Sequence, residues 1–341
     1  MRFRGVLRLD HCHVLSRFGL LARQGGESMT FVVGLRIVLF GLVISLQSAH
    51  LSAGITAAQE IQPIITTAEL VVGLNRFAFG LMKAGKLLED ADVNLRLYAL
   101  DGGEAKLAAE IKVPYQSVKH VKQERSVHRH ADGTEHVHGG GNESGVRGLY
   151  VAQLEFSRAG TWGIELLAKH ANAPAETVRF AVTVLDTSAT PAVGSAAPRS
   201  RNLIARDVKN LRQIDTSEKP DVRLHQVRIA DAITQGKPQL IVFATPQFCT
   251  SRMCGPVVDI VRGLLPVYGK RVAFIHQEIW QDFAEKKMFP TVEEWRLDTE
   301  PWVFVVDGKG IIRAKFEGLV TVQEIESALQ QILTRGPTRR Q

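Results

Sequence analysis

The sequence predicts a multidomain protein in which an N-terminal all-β domain precedes a C-terminal α/β domain. Residues 59–186 hold short runs of β-forming residues separated by Gly, Asn, Asp and Pro, which is the pattern of an all-β domain. Residues 221–335 contain continuous apolar runs alternating with apolar residues at helical spacing, which is typical of an α/β domain. Residues 187–220 begin as a stretch of Ala, Ser, Pro and Thr and predict a linker. The chain of 341 residues is long enough for two modest domains.

The formal net charge of +7 does not indicate a nucleic-acid partner. Residues 1–58 carry a net charge of +4, and the remaining +3 is matched by the arginines near the C-terminus, where residues 336–341 form a basic tail. No basic stripe interleaved with aromatic residues is left, so we expect no nucleic-acid binding.

Residues 1–58 predict an export signal. Apolar residues dominate from 31 to 46, a basic segment precedes them and small residues follow. The run is shorter than the roughly 20 apolar residues that a spanning helix needs. Met29 lies just before it, so residues 1–28 are a candidate over-extended start. We expect a periplasmic or otherwise exported protein. The alternative is an uncleaved N-terminal segment that anchors the protein in the membrane, facing the periplasm.

The cysteine count suits such a compartment. Of the three cysteines, Cys12 precedes the apolar run and would be lost with the signal, which leaves only Cys249 and Cys254. In an oxidising compartment this pair is expected to form a disulfide or to cycle between its two redox states. The alternative is a pair of inert buried thiols.

The all-β domain, residues 59–186, contains enough strand candidates for an immunoglobulin-like sandwich. The strand candidates are AELVVGL, NLRLYAL, AEIKVPY, GLYVAQLEF, GTWGIELLAK and TVRFAVTVLD. The two strands within residues 148–169 predict a hairpin that turns at Ala159-Gly160. We expect Phe77, Phe79 and Trp162 to be buried in the sandwich core.

A histidine-rich loop, residues 120–141, interrupts this domain. Two His-x-His pairs lie in it, namely His128, His130, His136 and His138. If the segment is a hairpin, the four imidazoles share one face, because residues i and i+2 of a strand point the same way. Neutral imidazoles suit Cu(II), Ni(II) or Zn(II), so the loop predicts a copper or zinc site. The alternative is a solvated loop, which the Gly-Gly-Gly run at its end favours. Three isolated histidines are interpreted as surface or boundary residues: His50, His170 and His225.

The α/β domain is predicted element by element. QLIVFAT predicts a strand buried on both faces, GPVVDIVRGLLPVYG a helix and RVAFIHQEIW a second central strand. PWVFVVDGKGIIRAKFEG predicts a hairpin that turns at Asp307-Gly308. Thr321 and Glu324 occupy the capping-box positions of the last helix.

The cysteine pair lies between the first strand and the helix of this domain. Unpaired N–H groups and the positive dipole end at a helix N-terminus stabilise a thiolate, so we expect a lowered pKa and nucleophilic character for Cys249. Cys254 would be the resolving thiol. Five helical positions turn two side chains about 140° apart, so we expect residues 249–253 to loop and the helix to begin near Cys254. The Gly-Pro that follows suits a first helical turn.

The order strand, Cys249, turn, Cys254, helix, and then Glu300-Pro301 before a strand resembles the thioredoxin-like superfamily. It is most similar to exported thiol–disulfide oxidoreductases of the TlpA type, and the resemblance covers residues 221–335. It implies that Pro301 matches the family's cis-proline, which faces the cysteines and orients a partner's backbone. Four residues separate the cysteines where the family usually has two, which leaves the potential and the direction of exchange open. Glu300 stands where other members carry a small or β-branched residue.

The sequence therefore predicts an exported oxidoreductase that exchanges thiols and disulfides with a protein partner and requires no cofactor. The first alternative is a periplasmic protein that handles copper or another metal with the histidine-rich loop and the cysteine pair. Copper chaperones of the Sco type share the fold, although His276 does not match their distant histidine.

The second alternative is a peroxiredoxin-like peroxidase, a class that can also have four residues between its cysteines. Such enzymes need Thr three residues before the first cysteine, where this chain has Pro246. A domain that only binds partners is a further alternative.

Overall fold

The computed structural model describes residues 60–101, 104–118, 126–129, 135–138 and 147–334. The described chain is mostly β-sheet with few helices, arranged in several sheets. The predicted export segment and the basic tail lie outside the described residues. Within the described ranges, no helix combines the length and the apolar character needed to cross a membrane.

The first region, residues 60–186, is a β-rich sandwich. The strands are β1 (Gln62–Ile65), β2 (Gly73–Lys83), β3 (Lys86–Leu87), β4 (Asp92–Asp101), β5 (Glu104–Val113), β6 (Tyr115–Ser117), β7 (Ser126–Arg129), β8 (Glu135–His138), β9 (Gly148–Phe156), β10 (Gly160–Lys169) and β11 (Glu176–Val184). One antiparallel sheet has the order β1-β2-β9-β6 with β3 beside β2, the other has the order β11-β10-β4-β5, and β7 pairs with β8. Phe77, Phe79 and Trp162 are buried in the core between the sheets, which confirms their predicted place.

The prediction that the two strands within residues 148–169 form a hairpin is wrong. β9 pairs with β2 and β6, whereas β10 pairs with β4 and β11, so the turn before Gly160 leads from one sheet into the other. β9 and β10 contact each other through side chains in the core and are not joined by backbone hydrogen bonds. The rings of Phe156 and Trp162, one at each side of the turn, pack edge to face with centroids 5.3 Å apart. Burying both aromatic side chains between the sheets explains the crossing.

The start of β2 also differs from the prediction, which placed a strand at AELVVGL. Asn75 accepts a hydrogen bond from the Val71 amide at 2.9 Å, and its side-chain amide donates to the Val71 and Gly73 carbonyls at 2.6 and 2.8 Å. These local bonds fold residues 71–75 into a turn, as Asn side chains commonly do. The strand therefore begins at Gly73, whose φ of 99° suits glycine.

The second region, residues 221–334, contains a four-stranded sheet with helices on both faces. Its elements are α1 (Ile229–Thr234), β12 (Gln239–Phe243), α2 (Cys254–Tyr268), β13 (Ala273–Gln277), β14 (Trp280–Asp282), β15 (Lys287–Met288), α3 (Pro290–Glu294), β16 (Trp302–Val306), β17 (Ile312–Glu317) and α4 (Val322–Thr334). The strand order in the sheet is β13-β12-β16-β17. β12 runs parallel to β13 and antiparallel to β16, and β16 and β17 form the predicted hairpin. The capping box of α4 is confirmed, because Thr321 N–H donates to Glu324 Oε2 at 3.0 Å and Glu324 N–H donates to Thr321 Oγ1 at 3.2 Å.

Successive residues of β12 and β16 point to opposite faces of this sheet. Leu240 and Val303 pack with α2 and α4, while Ile241 and Phe304 pack with α1, α3 and Trp295 on the other face. Both strands are buried along their whole length, as their continuous apolar runs predict.

Residues 187–220 connect the two regions but do not form an extended spacer. Ala197 N–H donates to the Gly310 carbonyl and Gly194 N–H donates to the Ile312 carbonyl, both at 2.8 Å. Further along, Ile214 is buried in the core of the second region. Backbone hydrogen bonds, which do not depend on side-chain type, hold the first part of the segment beside β17. Composition alone therefore predicts a linker and does not reveal this contact.

The sandwich packs directly on the second region. Ala78 and Val151, on the outer face of the β2–β9 sheet, belong to the same buried cluster as Leu319 and Ile325. Charged groups surround this apolar contact. Arg76 Nε donates to Glu324 Oε1 at 2.6 Å and Lys315 Nζ donates to Glu69 Oε1 at 2.5 Å, and both pairs are largely buried. Glu317 Oε2 also accepts the Ala68 and Glu69 amides at 2.7 and 2.9 Å.

We predict that Gly318→Ala destabilises the contact between the two regions. Gly318 has a φ of 70°, and a Cβ there would lie 2.4 Å from the Thr66 carbonyl oxygen of the sandwich. The variant should lose about 3 kcal/mol of unfolding free energy, from left-handed strain and from the collision. Gly194→Ala is the matched control, because its φ is 90° and a Cβ added there would have no heavy atom within 4 Å. It should lose only about 1 kcal/mol. Equal losses in urea unfolding would contradict the prediction.

Candidate active site

The cysteines lie between the end of β12 and the start of α2. The helix begins at Cys254, and residues 249–253 form the irregular loop predicted from the four-residue spacing. Arg252 adopts a left-handed φ of 57°, which reverses the chain just before the helix. Cys249 is half-buried and Cys254 is fully buried, and both are free thiols. The loop thus presents one sulfur toward the surface and keeps the other inside.

The surroundings of Cys249 favour its thiolate. A hydrogen bond from the Cys254 side chain is the largest influence, and the Ser251 hydroxyl and the amides of Cys254 and Met253 add to it. Although burial opposes them, these donors lower the pKa of Cys249 to about 6. The Cys249 Sγ to Ser251 Oγ distance is 3.1 Å. At neutral pH Cys249 is therefore mostly a thiolate, which is the nucleophilic form.

Cys254 is held in the opposite protonation state. Its burial, and then its contacts with Cys249 and Glu300, raise the pKa of its thiol well above the ordinary value. The two sulfurs therefore differ in both exposure and charge. Such asymmetry suits an attacking thiolate paired with a resolving thiol.

Glu300 is the third polar group at the cysteines. A carboxylate oxygen of Glu300 and the two sulfurs all lie within 4.8 Å of one another. Its Oε2 accepts the Thr245 amide at 2.9 Å, which fixes the carboxyl group below the loop. Burial, followed by the negative charge of Cys249, raises the pKa of Glu300 to about 8. The sequence alone assigned Glu300 no such role, although a glutamate directly before the proline was a signal.

Pro301 follows Glu300 directly, and the peptide bond between them is cis, as the resemblance implied. Pro301 is buried, and its carbonyl accepts the Gly318 amide at 2.9 Å. Glu300 thus lies at the cysteine site, and the adjacent Pro301 is hydrogen-bonded to Gly318 at the contact with the sandwich.

The peroxidase alternative depends on the residue at position 246, and the copper-chaperone alternative depends on a histidine near the cysteines. Pro246 has no hydroxyl to offer at the position where peroxidases need Thr, and the neighbouring Thr245 is fully buried with its amide on Glu300. The Nε2 atom of His276 donates to the Ala244 carbonyl at 3.0 Å. Among the described residues, the group of possible ligands at the cysteines contains Glu300 and no histidine.

The predicted metal site of the histidine-rich loop lies partly outside the described residues. The backbones of β7 and β8 form a hairpin whose register pairs His128 with His136 and Ser126 with His138. His130 lies outside the described residues, as do the side chains of the other three. A copper or zinc site in this loop stays a prediction.

Two of the isolated histidines are described. His170 lies near the surface and pairs with Asp90 at 3.1 Å, as expected for a boundary residue. The interpretation of His225 is wrong, because its side chain is buried and packs against the ring of His276 with centroids 5.3 Å apart. The segment before α1 folds back onto β13, which a lone histidine in a sequence does not reveal.

Comparison with known proteins adds little. No model of a protein family matches the chain, and no curated protein matches it. Among solved structures, a DUF4426 family protein from Pseudomonas aeruginosa PAO1 is similar over 34% of this chain and 77% of that chain, with 16% identity and a TM-score of 0.21. A TM-score this low supports no conclusion about fold or function.

Proposed function

We propose that residues 221–335 form a thioredoxin-like domain and that the protein exchanges thiols and disulfides with a protein partner through Cys249 and Cys254. The observation that carries this proposal is the asymmetry of the pair. Cys249 is half-buried with a pKa of about 6, whereas Cys254 is buried with a raised pKa at the first residue of α2. The sheet order, the helices α2 and α4 and the cis bond before Pro301 agree with the proposed domain.

The proposed exchange has two steps. The Cys249 thiolate attacks a partner disulfide, forms a mixed disulfide and expels one partner thiolate, which takes a proton from solvent. Cys254 then loses its proton and attacks Cys249 Sγ, which closes the 249–254 disulfide and releases the second partner thiolate. Two electrons pass to the partner. The reverse sequence oxidises a partner dithiol, and the potential of the pair determines which direction prevails.

Glu300 is the proposed acceptor of the Cys254 proton. Its carboxyl is fixed by the Thr245 amide within reach of both sulfurs. While Cys249 is a thiolate, its charge helps to keep Glu300 protonated. The mixed disulfide removes that charge, so the pKa of Glu300 falls and its carboxylate becomes available when Cys254 must ionise. The base is thus activated by the first step.

An aromatic surface next to Cys249 supports a polypeptide partner. Phe248 stacks on Phe283 with ring centroids 4.3 Å apart, and Trp280 packs edge to face on Phe283 at 5.7 Å. Phe283 is 42% exposed, which is unusual for a side chain this large. Aromatic side chains of this kind supply much of the binding energy in protein interfaces.

The remaining predictions fit this activity. We propose an immunoglobulin-like class for the sandwich, which holds the exchange domain through the buried pairs Arg76–Glu324 and Lys315–Glu69. We also propose export, with a periplasmic location, because disulfides form and persist in oxidising compartments.

The reduction potential of the cysteine pair tests the proposal. The protein carrying Cys12→Ser, which leaves Cys249 and Cys254 as the only thiols, is equilibrated with glutathione buffers of known potential. We expect a reversible two-electron couple between about −270 and −120 mV. A pair that does not close, and that binds copper tightly instead, would favour the metal-handling alternative. The group of Cys249, Cys254 and Glu300 is the observation that supports this second candidate.

A further inference from the structure

A second cluster of ionisable side chains lies inside the α/β region, apart from the cysteines. Asp215 comes from the segment before α1, His225 follows a short 3-10 turn at Val222–Leu224, and His276 lies on β13. Each of the three is at most 1% exposed, and one possible ligand atom from each lies within 4.8 Å of the others. Three buried ionisable groups this close together need their charges and hydrogen-bonding atoms to be balanced by one another or by a bound ion.

His276 has a nitrogen without a hydrogen-bond partner. Because the Ala244 carbonyl can only accept, the Nε2 atom of His276 carries a hydrogen and donates it at 3.0 Å. The other nitrogen, Nδ1, is buried and lies 3.6 Å from Asp215 Oδ1, which is too long for a hydrogen bond. Metal-ligating histidines commonly donate the N–H of their other ring nitrogen to a backbone carbonyl, as His276 does through Nε2, which leaves Nδ1 free to bind an ion.

His225 completes the arrangement around Asp215. Its Nε2 lies 3.1 Å from Asp215 Oδ2, and its buried Nδ1 has no partner among the described residues. Backbone amides hold the carboxylate, because Ser217 N–H donates to Oδ1 at 2.9 Å and Asp221 N–H donates to Oδ2 at 3.1 Å. Tetrahedral zinc ligands with bonds of about 2.0–2.2 Å are separated by roughly 3.4 Å. The distances from His225 Nε2 to Asp215 Oδ2 and from His276 Nδ1 to Asp215 Oδ1, 3.1 and 3.6 Å, lie on either side of that separation, each with its own carboxylate oxygen.

We propose that Asp215, His225 and His276 bind a divalent transition-metal ion of the zinc class. Two imidazoles and one carboxylate are a ligand set that Zn(II) takes commonly. The site adjoins the cysteines through two consecutive residues of one loop, because Ala244 accepts the His276 hydrogen bond and Thr245 donates to Glu300. A bound ion would therefore fix the backbone that positions the Glu300 carboxyl. The proposal is independent of the exchange activity.

The rival occupant of the cluster is a proton. If His276 is an imidazolium beside the Asp215 carboxylate, the ion pair alone neutralises the site. Burial lowers the pKa of His276, but the nearby Asp215 carboxylate outweighs it and raises the pKa. Metal and proton compete for the same nitrogen, so measuring zinc content and imidazole protonation distinguishes them.

The test uses the full chain with serine replacing its three cysteines, so that no thiolate binds metal, and with asparagine replacing His128, His130, His136 and His138. This parent protein is dialysed against Zn(II) alone and then against buffer, and its zinc is measured by mass spectrometry. We expect one equivalent of zinc in the parent and in His170→Gln, a matched histidine variant near the surface. His225→Gln and His276→Gln should each lose that equivalent. A chelator should lower the melting temperature of the parent and of His170→Gln, but not that of the two variants that hold no zinc.

A second measurement covers variants that fail to fold. Nitrogen NMR of the parent with and without Zn(II) should show the Nδ1 of His276 changing from protonated to metal-bound. A parent that retains no zinc, zinc that persists in both glutamine variants, or an imidazolium that zinc leaves unchanged would each overturn the proposal. The cluster would then be a buried ion pair.

Discussion

Replacing Cys249 with serine is expected to abolish thiol–disulfide exchange, whereas Cys254→Ser should stop the reaction at the mixed disulfide. Cys249 provides the thiolate, and a serine hydroxyl does not ionise near neutral pH, so the rate should fall about a thousandfold or more. Cys254→Ser keeps a donor for the hydrogen bond to Cys249, so the first step should continue and the partner should remain covalently attached. Non-reducing electrophoresis against a model disulfide protein measures both results.

The control for this pair is the Cys12→Ser protein, which should turn over without accumulating the adduct. The double variant Cys249→Ser with Cys254→Ser should form no adduct at all. If Cys249→Ser traps a partner while Cys254→Ser does not, the roles of the two sulfurs are reversed. If neither variant traps a partner, the proposed exchange is wrong.

Glu300→Gln is expected to slow the second step of exchange about a hundredfold at pH 7, which is the usual contribution of a general base. Glutamine keeps an acceptor for the Thr245 amide, so the loop should hold its shape while the group that accepts the Cys254 proton is lost. Stopped-flow mixing of the reduced protein with a disulfide that has a coloured leaving thiol separates the attack by Cys249 from the closure by Cys254.

The pH dependence distinguishes proton transfer from a structural role of Glu300. In the original protein, closure should slow as the pH falls through the pKa of Glu300 in the mixed disulfide, which lies below its value of about 8 in the dithiol. In Glu300→Gln, closure should keep accelerating with pH up to the raised pKa of Cys254. The thiolate of Cys249 should still titrate near pH 6 in the variant, because Glu300 is protonated and neutral at that pH. A slowed first step, or an unchanged closure profile, would contradict the role as a base.

Parts of the fold could be predicted because their causes are local. The start of α2 at Cys254 follows from the spacing of the cysteines and from the Gly-Pro after them. The cap of α4 follows from Thr321 and Glu324, which lie three residues apart. The burial of both faces of β12 follows from one uninterrupted apolar run.

Other features depend on contacts between distant residues. Asp215, His225 and His276 meet only because the segment before α1 folds onto β13, and none of the three has a sequence neighbour that signals a shared site. The exchange of sheets between β9 and β10 likewise depends on how Phe156 and Trp162 pack across the core. A two-residue turn signal cannot distinguish that crossing from a hairpin.

The contact between the sandwich and the second region has a consequence for folding. Ala78 and Val151 share one buried cluster with Leu319 and Ile325, and the Glu317 carboxyl group accepts the amides of Ala68 and Glu69. A chain cut between the two regions would expose this apolar surface to water and remove those two hydrogen bonds. We therefore expect the two regions to unfold in one transition, and we expect damage to the sandwich to alter the reactivity of the cysteines in the second region.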